Sequence, residues 1–459
     1  MKNKFEGLNL DVRLLKNLDD LNFSNMTPIQ EKSLPLIIDG KDVIAQAKTG
    51  SGKTATFGLG ILNNINIKQT RAQALILCPT RELAEQVAKE LRRLARLIPN
   101  VKILTITGGK SEYHQEKSLN HGAHIVVGTP GRVLKLLRKE ILNLDYVNRY
   151  VLDEADRMLD MGFSEDILKI TQYVPRKRQT LLFSATFPED IEELCSELQN
   201  NAVKVAVDVT HGEEVIKEEF VELDSHKNKI NALLRVLGKY RPERFIVFCK
   251  MKRISDTVAE ALYREGIEVC SIHGDLEQKE RTAALTMFSN KSLSGLVATD
   301  VAARGIDIKG LDLVVNFDLP SDPEVYVHRV GRTGRAGEMG HALSFVTKHE
   351  IDKFEKILEY QNKLHELQSM GVLDGDDVYD LKPIMTSLFI GGGKKDKLRP
   401  GDIAGAIVGE SGIDFKDIGD ILISNIVSYV AIKSELANLV CDKLKDGKIK
   451  NRKFKVGLL

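Results

Sequence analysis

Short runs of consecutive apolar residues alternate along the chain with longer stretches whose apolar positions recur at helical spacing. In the first half the runs are Asp42–Ala47, Ala74–Cys78, Val101–Thr107, His124–Val127, Tyr150–Asp153 and Thr180–Phe183. In the second they are Phe245–Cys249, Glu268–Ile272, Gly295–Ala298, Leu313–Phe317 and Ala342–Val346. Near-continuous apolar strands separated by helices indicate parallel sheets covered on both faces. The alternation runs too long for one sheet, and the polar stretch Asp208-Val-Thr-His-Gly-Glu-Glu214 interrupts it. The pattern therefore predicts one α/β domain over residues 1–207 and a second over 208–367, ending in a helix at Asp352–Leu367. Gly371-Val-Leu-Asp-Gly-Asp-Asp377 marks an expected linker, 368–384.

From residue 385 the pattern changes. It reads strand (Ser387–Ile390), glycine-rich turn, helix (Pro400–Val408), strand (Asp420–Ile423), strand (Ser428–Ile432), helix (Ser434–Leu444) and strand (Lys453–Leu458). This βαββαβ order is the split βαβ pattern of RNA-recognition modules, and it predicts a small α+β domain over 385–459.

Composition adds three points. The net charge of +1 conceals a division: residues 383–459 carry +4, the rest −3, so the tail is the piece that favours an anionic partner. The five cysteines form no C-x-x-C clip, which argues against a disulfide framework or zinc site and for a reducing cytoplasm. The first residues lack a signal peptide's apolar core, and no run is long enough to span a bilayer, so no membrane role is expected.

Ala47-Lys-Thr-Gly-Ser-Gly-Lys-Thr54 lies between an expected strand and an expected helix. This is the context of a phosphate-binding loop. Thr49, Gly50, Ser51 and Gly52 bring backbone N–H groups to phosphate oxygens, Lys53 reaches the β and γ phosphates, and the Thr54 hydroxyl ligates Mg²⁺. Ala47 stands where the general motif has glycine. Downstream, Val151-Leu-Asp-Glu-Ala-Asp156 is an apolar strand ending in acids. Asp153 suits a Mg²⁺ held through water, and Glu154 suits the base that orients and deprotonates attacking water. ATP and Mg²⁺ are the expected cofactors, and phosphoryl transfer to water the expected reaction.

With Asp153-Glu-Ala-Asp156 in place, the chain resembles the DEAD-box RNA helicases, whose other motifs follow in order over residues 1 to about 365. Phe5 and Asn22-Phe-Ser-Asn-Met-Thr-Pro-Ile-Gln30 resemble the Q motif, in which Gln30 reads the adenine. Pro79-Thr-Arg-Glu-Leu-Ala84, Gly108-Gly109 and Thr129-Pro-Gly-Arg132 resemble the motifs that grip RNA, through Thr80, Arg81, Gly109, Thr129 and Arg132. Ser184-Ala-Thr186 resembles the segment coupling hydrolysis to strand separation. Ala298-Thr-Asp-Val-Ala-Ala-Arg-Gly-Ile-Asp307 and His328-Arg-Val-Gly-Arg-Thr-Gly-Arg335 resemble the motifs of the second domain. The resemblance implies two tandem RecA-like parallel-sheet domains followed by the small RRM-like domain. It assigns ribose sensing to Asp307, arginine-finger roles to Arg332 and Arg335, contact with the first domain to His328 and Arg329, and RNA contacts to Arg253, Thr299 and Asp300.

The tail carries two basic clusters, Lys394-Lys-Asp-Lys-Leu-Arg399 and Lys445-Asp-Gly-Lys-Ile-Lys-Asn-Arg-Lys-Phe-Lys455. Expected RNA contacts are Lys394, Lys395, Lys397, Arg399, Lys448, Lys450, Arg452 and Lys453, with Tyr429 and Phe389 near stacking positions; Val427 stands where a second aromatic is usual. Gly391–Asp402 and Gly447–Lys453 are similar to the tail of bacterial DbpA-type helicases. That resemblance implies a 23S ribosomal RNA hairpin and pre-50S particles as partners, and a role in large-subunit assembly. The expected activity is a monomeric RNA-dependent ATPase that unwinds short duplexes by ATP-driven domain closure. The alternatives are an ATP-gated RNA clamp without productive unwinding, and a DNA helicase.

Overall fold

The computed structural model describes residues 4–47, 51–187, 189–199, 201–207, 216–300, 311–334, 339–373 and 381–459, with the side chains of 189 and 190 left aside. The chain divides near residue 211 into two compact units, and the second unit includes the C-terminal module.

The first unit is built on seven parallel strands: β1 (Val43–Gln46), β2 (Ala74–Leu77), β3 (Ile103–Ile106), β4 (Ile125–Gly128), β5 (Arg149–Asp153), β6 (Gln179–Ser184) and β7 (Val203–Ala206). Their order is β3-β4-β2-β5-β6-β1-β7. Strands β2, β4 and β6 are buried at every position, as a sheet with helices on both faces requires. One core lies on each face, one around Phe57, Leu59 and Phe183, the other around Tyr150, Leu152 and Leu182. The phosphate loop follows β1, the acidic motif ends β5 and Ser184-Ala-Thr ends β6. These three strands are neighbours, so the topology gathers the motifs at the carboxyl ends, where ligands bind in open α/β sheets.

The second unit repeats the plan. Strands β8 (Ile216–Leu223), β9 (Phe245–Cys249), β10 (Val269–Ile272), β11 (Gly295–Thr299), β12 (Leu313–Asn316), β13 (Gly340–Thr347) and β14 (Leu367–Gln368) form a parallel sheet in the order β10-β11-β9-β12-β13-β8-β14. The expected helix at Asp352–Leu367 is shorter, Ile351–Gln361, ended by Asn362 in the left-handed conformation at φ 50°.

The expected linker 368–384 is corrected at both ends. Gln368 belongs to β14, which pairs with Phe220 and Val221 of β8. Leu373 and Leu381 are both buried in the second domain's core, and Ser294 Oγ donates to the Leu381 carbonyl at 2.5 Å. Apolar anchors hold these flanks against the sheet; residues 374–380 lie outside the described set.

The C-terminal module is an antiparallel sheet of β15 (Met385–Ile390), β16 (Ile418–Ile423), β17 (Ser428–Lys433) and β18 (Val456–Leu458), ordered β16-β17-β15-β18. Helices Pro400–Ser411 and Ser434–Asp446 cover one face over Leu388, Ile403, Ile407, Val430, Val440 and Leu444. The module touches the second domain directly. Asn290 Nδ2 donates to Ser387 Oγ at 2.7 Å, Ser387 Oγ donates to Ser292 Oγ at 2.9 Å, and Met385 N donates to the Lys291 carbonyl at 3.3 Å.

Candidate nucleotide and RNA sites

Gly52 opens the helix Lys53–Asn63 at φ +94°, a conformation that disfavours any Cβ, and an added Cβ would meet Gln30 Nε2 at 2.7 Å. The crowding comes from the expected adenine reader. Gln30 Oε1 accepts from Thr27 N at 2.9 Å, its Nε2 donates to the Gly52 carbonyl at 3.3 Å, and Thr27 Oγ1 donates to the Ser51 carbonyl at 2.7 Å. The segment before β1 thus braces the phosphate loop. Phe5 is buried in the first core.

Lys53 is 6% exposed, and its Nζ has no hydrogen-bond partner among the described residues; Ser51 Oγ and Ser184 Oγ are equally unpartnered. A buried ammonium without an acceptor is costly unless an anion completes it. Across from it, burial pushes Asp153 up to about 7; Lys53 opposes the shift, and Glu154 adds to it. Glu154 sits at φ 53°, a strained position for a side chain of this kind, which turns the chain sharply at the end of β5. A donor-rich loop beside a carboxylate that lacks a full counter-charge fits a triphosphate and a divalent cation. Thr54, at the first turn of the helix, is half-buried.

Asp156 connects this centre to the next motif. Its Oδ2 accepts from Ala185 N at 3.0 Å, Thr186 N at 3.1 Å and Thr186 Oγ1 at 3.2 Å. Any shift of the acidic turn is therefore felt at Ala185 and Thr186.

The expected RNA-gripping residues of the first domain gather at the carboxyl ends of β2, β3 and β4, which are adjacent strands. Thr80 caps the helix Arg81–Leu94 by accepting from Leu83 N at 3.2 Å. The Arg81 guanidinium lies over Gly108, where an added Cβ would come within 2.9 Å of Nη2; Gly109 follows at φ +73°. Thr129 starts the helix Pro130–Arg138, and Arg132 Nη1 donates to Gln115 Oε1 at 3.0 Å and to the Lys110 carbonyl at 3.3 Å.

In the second domain Arg253 is exposed and Thr299 buried. Arg329, for which the resemblance implies contact with the first domain, is engaged within its own. It is 3% exposed and donates to Asp300 through Nε at 2.6 Å and Nη2 at 2.8 Å, and through Nη1 to Asn316 Oδ1 at 3.0 Å and the Asp318 carbonyl at 2.7 Å, with Phe248 beneath it at 5.0 Å. Four bonds and a ring leave it as the strut that fixes Asp300. His328 and Arg332 are half-exposed. Thr49, Gly50, Asp307 and Arg335 lie outside the described residues.

In the tail, Lys394, Lys395, Lys397, Arg399, Lys448, Arg452 and Lys453 are all exposed. Lys450 joins the two clusters, donating to the Lys397 carbonyl at 2.9 Å and pairing with Asp402 at 3.3 Å. Lys450 and Asn451 have φ of 53° and 62° between the bridged residues Ile449 and Arg452, a tight hairpin turn that holds the second cluster in shape. Tyr429 pairs with Phe389 across β17 and β15 but is only 7% exposed, which leaves its ring little surface for a base.

Three family models cover this architecture in order: the DEAD/DEAH box helicase over 27–194, the helicase conserved C-terminal domain over 228–337, and the DbpA RNA binding domain over 387–458. The ATP-dependent RNA helicase DbpA of Escherichia coli is 48% identical over 445 residues, 97% of each chain. The chain is a DEAD-box ATP-dependent RNA helicase. A DEAD-box helicase CshA from Geobacillus kaustophilus is 44% identical over 81% of this chain and 79% of its own. Among solved structures, Dbp5 of S. cerevisiae bound to RNA and ADP BeF3 matches with a TM-score of 0.74 and 32% identity over 80% of this chain and 96% of that one.

The helicase is thus an RNA-stimulated ATPase. Two residues of its sites escaped the motif reading. Gln115 touches Arg132 and stands in no motif. Lys229 is fully buried behind Arg329, with Nζ 2.6 Å from the Phe317 carbonyl, 2.9 Å from Asp318 and 3.0 Å from Glu350. Its partners are 88 to 121 residues away, so no local pattern marks it. A lysine at core spacing within the helix Lys229–Tyr240 is the signal that was available.

Proposed function

We propose that this helicase melts short RNA helices close to a site its tail has already bound, and that the bound RNA is a 23S ribosomal RNA hairpin in a pre-50S particle, within the cytoplasm, the protein acting as a monomer. The observation that carries this reading is the joining of the tail's two basic clusters by Lys450, on a module with its own core. Exposed lysines and arginines on one fixed surface suit phosphate contacts, and the similarity to DbpA-type tails supplies the RNA class.

In the motor, Lys53 and the N–H groups of the loop bind the β and γ phosphates, and Gln30 holds the loop while reading the base. Thr54 and Asp153 would hold Mg²⁺, which neutralises phosphate charge when bound. Glu154 accepts the proton of the attacking water. Asp156 passes the resulting change at the acidic turn to the Ser184-Ala-Thr186 segment through Ala185 and Thr186. Thr80, Arg81, Gly109, Thr129 and Arg132, with Arg253, Thr299 and Asp300, hold RNA by its backbone, which carries no base sequence. Arg332 and Arg335 serve as arginine fingers, and Asp307 senses the ribose.

The test is the ATPase rate of the full chain titrated with 23S hairpin fragments, unrelated RNA and DNA. The proposal expects the hairpin fragments to stimulate at the lowest concentration and DNA to stimulate least. Equal stimulation by all RNAs would remove the ribosomal assignment, and equal stimulation by DNA would contradict the RNA grip.

A further inference from the structure

The helix Glu112–Asn120 buries a single residue, and that residue is polar: Gln115, 6% exposed. A buried glutamine loses rotamer freedom and hydration, and an apolar side chain would fill the same space without the second cost. The reason for glutamine therefore lies in its two polar ends. Nε2 donates to the Thr107 carbonyl at 2.8 Å, and Oε1 accepts from Arg132 Nη1 at 3.0 Å. A carbonyl can only accept and a guanidinium can only donate, so the amide has one workable orientation, and an ionised glutamate of the same length would lack the donor. Thr107 is the residue immediately before the Gly108-Gly109 turn. Arg132 stands on the next strand's helix and also donates to the Lys110 carbonyl, on the far side of the same turn.

We infer that Gln115 is a positioning residue of the RNA grip: its amide ties the Arg132 guanidinium to the Gly108-Gly109 turn, so that the two meet an RNA backbone as one preformed unit. An arginine side chain without this tie samples many rotamers and must be ordered when RNA binds; a tied one has met that cost on folding. This rests on the reading that Arg132 and the turn hold RNA phosphate.

The experiment compares Gln115→Met, which keeps the volume, Gln115→Ala, Arg132→Ala and the double variant Gln115→Ala/Arg132→Ala. It measures the RNA concentration for half-maximal ATPase, kcat at saturating RNA, and the melting temperature. One net hydrogen bond corresponds to a change of about two- to tenfold. Both Gln115 variants should raise the half-saturating RNA concentration by about that factor, with kcat at saturating RNA reduced less than about twofold. The double variant should be no worse than Arg132→Ala alone, because Gln115 acts through Arg132. If Arg132→Ala leaves half-saturation unmoved, the underlying reading of the grip falls. If Arg132→Ala shifts it and Gln115→Met does not, or the two effects simply add, or Gln115→Met lowers the melting temperature without moving half-saturation, the role of Gln115 is overturned.

Discussion

Replacing Lys53 by alanine probes the nucleotide site at its most exposed assumption, that a buried ammonium waits for phosphate. The wild-type Nζ has no hydrogen-bond partner among the described residues and the side chain is 6% exposed, so its deletion breaks no hydrogen bond to a described residue. The variant should therefore melt no earlier than the wild type without nucleotide. With nucleotide, a charge-assisted contact is lost, about 1.5–3 kcal/mol, or roughly 10- to 150-fold in ATP affinity. A second consequence follows from Asp153. Burial pushes that carboxyl up to about 7, and Lys53 is what holds it from going higher. Without the lysine, more of the acid is protonated at neutral pH, so binding of Mg²⁺ and nucleotide should improve more steeply from pH 6 to pH 8 than in the wild type. Titration with a fluorescent ATP analogue at several pH values, alongside RNA-stimulated hydrolysis, measures both effects. Wild-type hydrolysis, or unchanged nucleotide affinity at every pH, would refute the reasoning.

Three further variants have defined outcomes. Glu154→Gln should bind ATP and RNA but hydrolyse slowly, so RNA dissociation in the presence of ATP should slow; release as fast as in the wild type would mean hydrolysis does not govern it. Asp153→Asn replaces an acid whose folded value, about 7, lies above its ordinary 3.8. The wild-type acid's contribution to stability is complete below about 4 and is lost as pH rises through 7, so without nucleotide or Mg²⁺ the variant's melting temperature should gain on the wild type's between pH 5 and pH 8; a constant difference would contradict this. Lys229→Met leaves Asp318 and Glu350 buried without their cation and should destabilise the second domain by about 3–5 kcal/mol in urea unfolding; an unchanged midpoint would show the triad to be dispensable.

What the sequence revealed and what it withheld divide along a physical line. The phosphate loop was legible because phosphate binding requires glycine, lysine and a hydroxyl at fixed short spacing, between a strand and a helix. The inner strands were legible because burial on both faces makes them apolar throughout. Strand β8 was missed: it is Ile-Lys-Glu-Glu-Phe-Val-Glu-Leu, and its charges read as surface. Glu218 is nevertheless engaged by Lys363, Tyr326 and Gln361, partners 108 to 145 residues away, and these bonds hold its carboxyl below the usual range against the effect of burial. Arg329 was given contact with the first domain by resemblance alone, and the bonds it makes within its own domain left no mark in the sequence. Its acceptors, Asp300, Asn316 and the Asp318 carbonyl, lie at or just beyond the ends of β11 and β12. The same holds for Gln115 and Lys229. Tyr429 illustrates the reverse case: the module pattern placed it near a stacking position, and burial leaves little of its ring exposed.

The central claim is that the motor grips RNA without choosing it and the tail chooses. The direct measurement compares the full chain with a chain ended at Pro383, which keeps Leu381 in the second domain's core. RNA-stimulated ATPase is titrated with a 23S hairpin fragment and with unrelated RNA of equal length. Linking a selective module to the motor raises its effective concentration at nearby helices. The full chain should therefore respond to the hairpin at far lower concentration than to unrelated RNA, while the shortened chain, still stimulated by both, should respond to them alike. Retention of the hairpin preference by the shortened chain would place the selection in the motor and contradict the account.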